Sequence, residues 1–426
     1  MDARGSVLLT DGFWPKTLVA ARALHAAGER VVCGEQTRLA PALWSKATAR
    51  RFLYDDPIAH EERFVARLEK VAADEARRGP VVLLPMEEET LLVVLRHRAR
   101  LERHAALPFA DAASIERLRD KATFGELARA HGLPTPRTRS FRNETELLDA
   151  AEELGLPLVV KRRVSSGARG VAYASTRDEL LVRGRAALDL DRSALVQERL
   201  PREGEAIGVS LLLWRDESAP HDGSSALPRQ APSAPRLVAG FVHRRLREYP
   251  VSGGSSTLRE AIQDEPLVLR CARFLAELGF AGVAMLEWKR DLRDGELKVL
   301  ECNPRFWGSL HQAVVAGVSF PALLARLARG ERVEPVGAYR TDRRSRALFP
   351  GDLLHWWKAR PRPARFFRLE PDVVDELFCR DDPWPAAIKL LGFVPLLARP
   401  GIRRLVSKNG ARPAAGFARA VSSARW

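Results

Sequence analysis

A chain of 426 residues, 46 % hydrophobic and 29 % charged, has ordinary globular composition and the length of two or three domains, which excludes disordered, collagen-like and fibrous classes. Its 69 Lys and Arg against 54 Asp and Glu give a formal net charge of +15, but without a zinc-finger or RNA-binding aromatic signature that charge specifies no nucleic acid. No apolar run reaches the roughly 18–20 residues of a membrane span, the N-terminus lacks a signal-peptide layout, and the four cysteines show no CxxC spacing; a soluble, cytoplasmic protein is expected.

Residues 1–118 alternate strand and helix. Ser6 to Thr10 is a short apolar strand ending in Asp11-Gly12, Thr17 to Ala27 is a helix closed by Gly28, and Arg30 to Cys33 is a second strand. An amphipathic helix over Glu62 to Arg77 precedes the buried-type strand Pro80 to Pro85 and a helix over Glu89 to His97. That alternation predicts a Rossmann-like parallel sheet with helices on its faces. The GxGxxG fingerprint is missing after the first strand, so no NAD site is assigned.

From Asp120 the pattern changes. Helices are predicted over Lys121–His131, Glu144–Leu154 and Glu265–Leu278, and strands over Leu156–Lys161, Leu195–Leu200, Ala206–Trp214, Leu237–His243, Ala281–Lys289 and Leu297–Cys302. Residues 215–236 hold four Pro and four Ser with no apolar period and read as an insertion between two strands. Residues 331–426, with 19 basic and 10 acidic side chains, form a C-terminal region whose fold the sequence leaves open. Past Asp382 the chain has eight basic residues and no acidic one, a basic extension suited at most to weak contact with an anionic membrane.

The chemistry concentrates late in the chain. Glu287 lies in the strand AGVAMLEWKRD, and Glu301 and Asn303 share one face of the strand ELKVLECNPR. A three-residue hairpin loop, Arg293-Asp294-Gly295, would set Glu287 opposite Glu301. Two carboxylates and an amide oxygen on one face suit Mg²⁺ shared with a phosphate; the other reading is edge carboxylates paired with Arg or Lys. Lys161 ends an apolar strand before SSGARG, where Gly167 and Gly170 would let backbone N–H groups approach phosphate oxygens. Glu198 closes the strand Leu195-Val196-Gln197, and Glu205 follows seven residues later; by themselves both read as solvated loop acids. The stretch His243-Arg244-Arg245 is either a substrate-contacting segment or an exposed basic strand end. Cys302 should face away from Glu301 and pack, and Trp307 is expected in the core rather than in contact with a ligand.

The ordered set Lys121, Lys161 with its Gly loop, Gln197-Glu198, Glu287, and Glu301-Cys302-Asn303-Pro304-Arg305 resembles the ATP-grasp superfamily of carboxylate–amine and carboxylate–thiol ligases. The resemblance covers roughly residues 5–330. Its most specific piece is ECNPRFWGS, similar to the family's E-x-N-x-R motif. It implies a preATP-grasp domain over 1–118, a two-lobed α+β ATP-grasp core over 119–330, and the C-terminal region 331–426. By position in the family pattern, Lys121 and Lys161 would contact ATP phosphates under a flap at Gly167–Gly170. Glu198 would accept from the adenine amino group, the backbone near Leu200 would read the ring edge, and Glu205 would bind the ribose. Glu287, Glu301 and Asn303 would hold Mg²⁺, with Mn²⁺ as the alternative ion, and Arg305 would stabilise the transferred phosphoryl group.

The function this implies is ligation: Mg·ATP phosphorylates a small carboxylate, and an amine displaces the phosphate, with ADP released. A carboxylase, a thioester-forming ligase, or an ATP-binding regulatory protein docked through its basic tail are the alternatives. Small-molecule substrates are the expected partners, and self-association is compatible with the family.

Overall fold

The computed structural model describes residues 5–165, 170–215, 234–251, 253–359, 366 and 370–397. The chain opens with β1 (Ser6–Leu9), α1 (Pro15–Ala26), β2 (Arg30–Glu35) and β3 (Thr48–Leu53), followed by α2 (Glu61–Ala76) and β4 (Val81–Leu84). The four strands form a parallel sheet in the order β3-β2-β1-β4. β1 and β4 are buried throughout, and α2 turns Phe64, Val65, Leu68, Val71 and Ala72 inward. That spacing is the one a single buried helical stripe requires. Strand β3 is new relative to the sequence reading, because TARRFL alternates charge and exposure as an edge strand does.

Helices α3 (Glu88–Arg96), α4 (Arg98–Leu101), α5 (Ala112–Arg119) and α6 (Lys121–Ala130) lead out of this sheet. Asp120 caps α6 by accepting from the N–H groups of Ala122 and Thr123, which fixes Lys121 at the first helical position. A second, antiparallel sheet follows: β5 (Thr138–Phe141), α7 (Glu144–Leu154), β6 (Leu158–Arg162), β7 (Val171–Ala174), α8 (Arg177–Leu188) and β8 (Ala194–Glu198), with strand order β5-β8-β6-β7. It has its own small apolar core, in which Phe141, Leu147, Leu158, Leu180 and Val196 meet.

The third sheet has seven strands, ordered β13-β12-β9-β10-β11-β14-β15. Its members are β9 (Ala206–Trp214), β10 (Arg236–Tyr249), β11 (Ser255–Ile262), β12 (Gly282–Arg290), β13 (Leu297–Asn303), β14 (Arg344–Arg346) and β15 (Val373–Asp375), with α9 (Glu265–Glu277) between β11 and β12. β9 and β10 pair with Trp214 opposite Arg236, and most of the insertion expected between them, 216–233, lies outside the described residues. β10 runs on to Tyr249, beyond the His243 limit expected from hydropathy, because pairing with β11 supplies partners for its charged end.

Helices α10 (Leu310–Val315) and α11 (Phe320–Ala328) follow β13, and α12 (Leu353–Ala359) lies between β14 and β15. One continuous apolar core joins the parallel sheet to the seven-stranded one, from Val7, Leu9 and Leu18 through Phe306, Trp307 and Phe320. Beyond residue 331 the described segments join existing structure. β14 and β15 extend the large sheet, and α13 (Trp384–Leu397) packs on the turn Pro41–Trp44. Asp382 clamps this segment to the first domain by accepting from Arg22, the Ser45 hydroxyl and the Lys46 N–H. The rest of the basic extension lies outside the described residues, and among the described ones no helix is long and apolar enough to cross a membrane.

Candidate active site

Glu287 of β12 stands directly opposite Glu301 of β13, and Met285 opposite Asn303. The connection is longer than the three-residue loop expected. Asp291 N–H still bonds the Glu296 carbonyl at 2.7 Å, leaving a four-residue loop, Leu292–Gly295, and a bulge between Glu287 and Trp288 restores the register. Asp291 explains the difference. It is buried and accepts from Arg293 and Lys298, so the turn is organised around one carboxylate and not only by Gly295.

Both carboxylates of the pair meet cations. Glu287 takes Arg245 at 2.5 Å and an N–H from the Asn303 amide at 3.2 Å. Glu301 takes Lys121 at 3.2 Å. Burial and its negative neighbour push the Glu287 carboxyl above its ordinary value, although Arg245 opposes them. Burial also works to raise Glu301, but Lys121 and Lys161 outweigh it and hold that carboxyl low. Of two carboxylates side by side, the one facing two lysines keeps its charge.

Lys121 reaches Glu301 from the N-terminus of α6 and also donates to the Ser165 carbonyl at 2.9 Å. Lys161, at the end of β6, donates to the Gln197 side chain at 2.6 Å. Burial, reinforced by Lys121 and opposed by Glu301 and Glu287, lowers Lys161 to about 8. Arg305 is buried and fixed on three sides, by Glu88 at 3.2 Å, the Phe306 carbonyl and the Asn303 amide oxygen. Thus the α6 start, the β6 end and the β12–β13 hairpin bring Lys121, Lys161, Glu287, Glu301, Asn303 and Arg305 into one connected charge network.

The remaining candidates stand apart from that network. Glu198 is buried, not a solvated loop acid: its oxygens accept from the Arg137 N–H at 2.8 Å and from Arg293 at 2.9 Å. Leu200 is buried just beyond it. Glu205 is held between Arg244 at 2.5 Å and Arg290 at 3.2 Å, and those two guanidinium groups lower its carboxyl. Gly170 has φ +73 and closes the loop after β6 with its carbonyl on the Arg162 N–H; Gly167 lies outside the described residues. Cys302 is buried, as strand alternation required, and so is Trp307.

Of the basic stretch His243-Arg244-Arg245, left open between two readings, Arg245 is the direct partner of Glu287, so it is no exposed strand end. Beside it, His243 is fully buried against Gly208, where a Cβ would come within 2.2 Å of the imidazole. Lys16, early in α1, bonds Glu87 at 2.7 Å and the Phe306 carbonyl, and Glu88 bridges Arg305 and Arg119. The signal available for Lys16 and Glu88 was weak: a lysine behind Pro15 and paired acids opening α3 look like ordinary helix starts.

The family profile described as "ATP-grasp in the biosynthetic pathway with Ter operon" matches residues 238–348, the stretch that carries Arg245, Glu287, Glu301, Asn303 and Arg305. This match and the relatives that follow support the ATP-grasp superfamily for the chain. Among curated relatives, the D-alanine–D-alanine ligase of Chromohalobacter salexigens is 31 % identical over 220 residues, covering 49 % of this chain and 63 % of that ligase. This chain therefore spans less than two thirds of that relative's length. Solved ATP-grasp structures share the fold at low identity. The biotin carboxylase domain of Hydrogenobacter thermophilus 2-oxoglutarate carboxylase, bound to MgADP, superimposes with a TM-score of 0.60 at 16 % identity, covering 80 % of this chain and 73 % of that one. N5-carboxyaminoimidazole synthetase of Staphylococcus aureus with ADP gives 0.59 at 14 %, covering 81 % and 82 %. The solved structures share with this chain a mixed α/β architecture with an N-terminal parallel sheet.

Proposed function

We propose that this protein is a Mg·ATP-dependent ligase that converts a carboxylate to an acyl phosphate and couples it to an amine, releasing ADP and phosphate. The observation that carries the reading is the Glu287–Glu301 pair, two half-buried carboxylates face to face on adjacent strands and compensated by Arg245 and Lys121. Carboxylates of this kind persist in a low-dielectric site only with positive charge between them. Their donor set, with Asn303, fits a divalent cation whose other ligands are phosphate and water oxygens; among the described residues no group of three or more His, Cys, Asp or Glu offers a self-sufficient cage. When bound, Mg²⁺, or Mn²⁺ in its place, would offset the charge of the nucleotide phosphates.

The chain's own residues do the rest. Lys121 and Lys161 would trade their contacts with Glu301 and Gln197 for phosphate oxygens. Arg305, already immobilised by Glu88 and Asn303, is preorganised for the phosphoryl group as it leaves ADP and joins the substrate carboxylate oxygen. The amine nitrogen then attacks the acyl carbon, the acyl C–O bond breaks, phosphate departs, and the surplus amine proton passes to solvent. No side-chain nucleophile is needed. Glu198 and Leu200 would border the base, and Glu205 would reach the ribose only by sharing its carboxylate with Arg244 and Arg290. Similarity to a D-alanine–D-alanine ligase favours an amine as the acceptor.

The test is nucleotide product analysis with Mg·ATP and pooled amino acids and small carboxylates, with Glu301→Ala as the blank. ADP and phosphate that depend on both a carboxylate and an amine support the reading. AMP with pyrophosphate would overturn the acyl-phosphate route, and ADP released with bicarbonate alone would move the chemistry to carboxylation.

A further inference from the structure

At the carboxyl ends of β2 and β3, away from the carboxylate pair in sequence and in sheet, lies a cavity of about 480 Å³. Its walls include Trp44, Phe52 and Leu53, and Arg38, Arg51 and Arg67 border it. The Arg51 guanidinium carbon sits 4.7 Å from the centroid of the Trp44 ring, and that of Arg67 sits 6.0 Å from Phe52. The indole is oriented by its N–H, which donates to the Arg38 carbonyl at 2.6 Å. Arg67 is oriented in the same way, through its Nε on the Leu53 carbonyl at 3.1 Å. Phe52 lies across Gly34, where a Cβ would meet the ring at 2.4 Å, so the wall is rigid.

The charge here contrasts with that of a neighbouring arginine. On the same strand Arg50 pairs with both Asp74 and Glu75. Among the described residues, Arg38, Arg51 and Arg67 pair with no carboxylate, and no acidic side chain lines the cavity. Three guanidinium groups around one concavity repel one another, a cost that an anion would remove. Arginine seated on an aromatic face keeps its in-plane N–H donors free for the bidentate geometry that phosphate oxygens match. The volume is that of a small-molecule pocket.

We propose that this cavity is a second ligand site, which binds a planar aromatic anion of the nucleoside monophosphate class. The phosphate sits among Arg38, Arg51 and Arg67, and the base stacks on the part of Trp44 that remains exposed, 38 % of the residue. A single exposed indole favours a small ligand over a nucleic-acid strand, because strand binding uses a succession of aromatic platforms. The inference is independent of the ligase reading, since it invokes neither Glu287, Glu301 nor the lysines.

The experiment is ¹⁹F NMR on the full chain labelled with 5-fluorotryptophan, whose nine tryptophans give separate signals. Trp44 is assigned by the signal lost in Trp44→Phe. AMP should shift the Trp44 signal saturably, and Arg51→Gln or the exposed Arg38→Gln should weaken that titration by about tenfold or more. The other eight signals report whether each variant is folded. Adenosine and inorganic phosphate, each alone, should act far more weakly than AMP. No Trp44 shift at about 10 mM AMP, or a titration unchanged in both folded variants, overturns the site. Phosphate acting as strongly as AMP would reduce it to a simple anion site, and an oligonucleotide binding much more tightly than AMP would make it a strand site; either result overturns the proposal as stated.

Discussion

Asp11 and Glu35, at the ends of β1 and β2, are carboxylates withdrawn from solvent still further than the half-buried Glu287 and Glu301, and they are compensated by a different kind of partner. Asp11 accepts from the Thr10 and Thr90 hydroxyls and from the N–H groups of Met86 and Glu87, and Glu35 accepts from the N–H groups of Phe13 and Gln36. Those donors are neutral and belong to the backbone or to short side chains. Asp11 even adopts φ +61 to collect them, the single non-glycine residue with positive φ among those described. In the large sheet the partners are Arg245, Lys121 and Lys161, full charges on long stems. Neutral fixed donors tie a carboxylate into the scaffold; cations on flexible stems can be exchanged for a metal ion or a phosphate. Burial alone does not separate a structural acid from a functional one, whereas the identity of the compensating group does.

The sharpest test of that contrast is Glu301→Ala. Turnover should fall by about 10³-fold or more with a circular dichroism melt close to that of the wild type, because Lys121 keeps its bond to the Ser165 carbonyl and Lys161 its bond to Gln197. A large loss of melting temperature would place Glu301 with the scaffold acids instead. Asp11→Ala should do the reverse, lowering stability in urea by roughly 3–5 kcal/mol by leaving several buried donors unpaired. A cost under about 0.5 kcal/mol, typical of a plain surface position, would break the comparison from the other side.

A finer effect concerns pH. Burial, aided by the nearby Asp11 charge, raises Glu35 from 4.5 to about 7. Between those values the folded chain holds a proton that the unfolded chain has released, so stability falls as pH rises through that window. Glu35→Gln should remove that part of the slope, up to about 3 kcal/mol, measured as the difference between wild-type and variant urea midpoints from pH 4.5 to 7. Parallel curves would mean that the backbone N–H groups keep Glu35 ionised.

Much of the fold could be read from local signals. α7 occupies the residues anticipated, Glu144–Leu154, because Asn143 caps one end and Gly155 closes the other. β9 likewise matches its apolar run. β3, β5, β7, β11, β14 and β15 escaped because TARRFL, TRSF, VAYA, SSTLREAI, RSR and VVD carry charge, small residues or too few positions for a period to register. They are strands because a neighbour supplies the hydrogen bonds. In the site, strand alternation was enough to put Glu301 and Asn303 on one face and Cys302 on the other, but the length of the hairpin loop depended on Asp291 capturing Arg293 and Lys298.

By itself the sequence determined the chemical inventory and its order: an N-terminal parallel sheet, two lysines, a paired carboxylate motif and the family they mark. Periodicity and residue type are local properties, and a side-chain period of two or 3.6 survives in one dimension. Tertiary structure alone decided the partners. Lys16 with Phe306, Glu88 with Arg305, Arg245 with Glu287, and the three unpaired arginines around Trp44 are set by which sheet edges and helix ends the folded chain brings together. Such pairings span up to 290 residues, and they exist only once burial has made an unmatched charge too costly to leave alone.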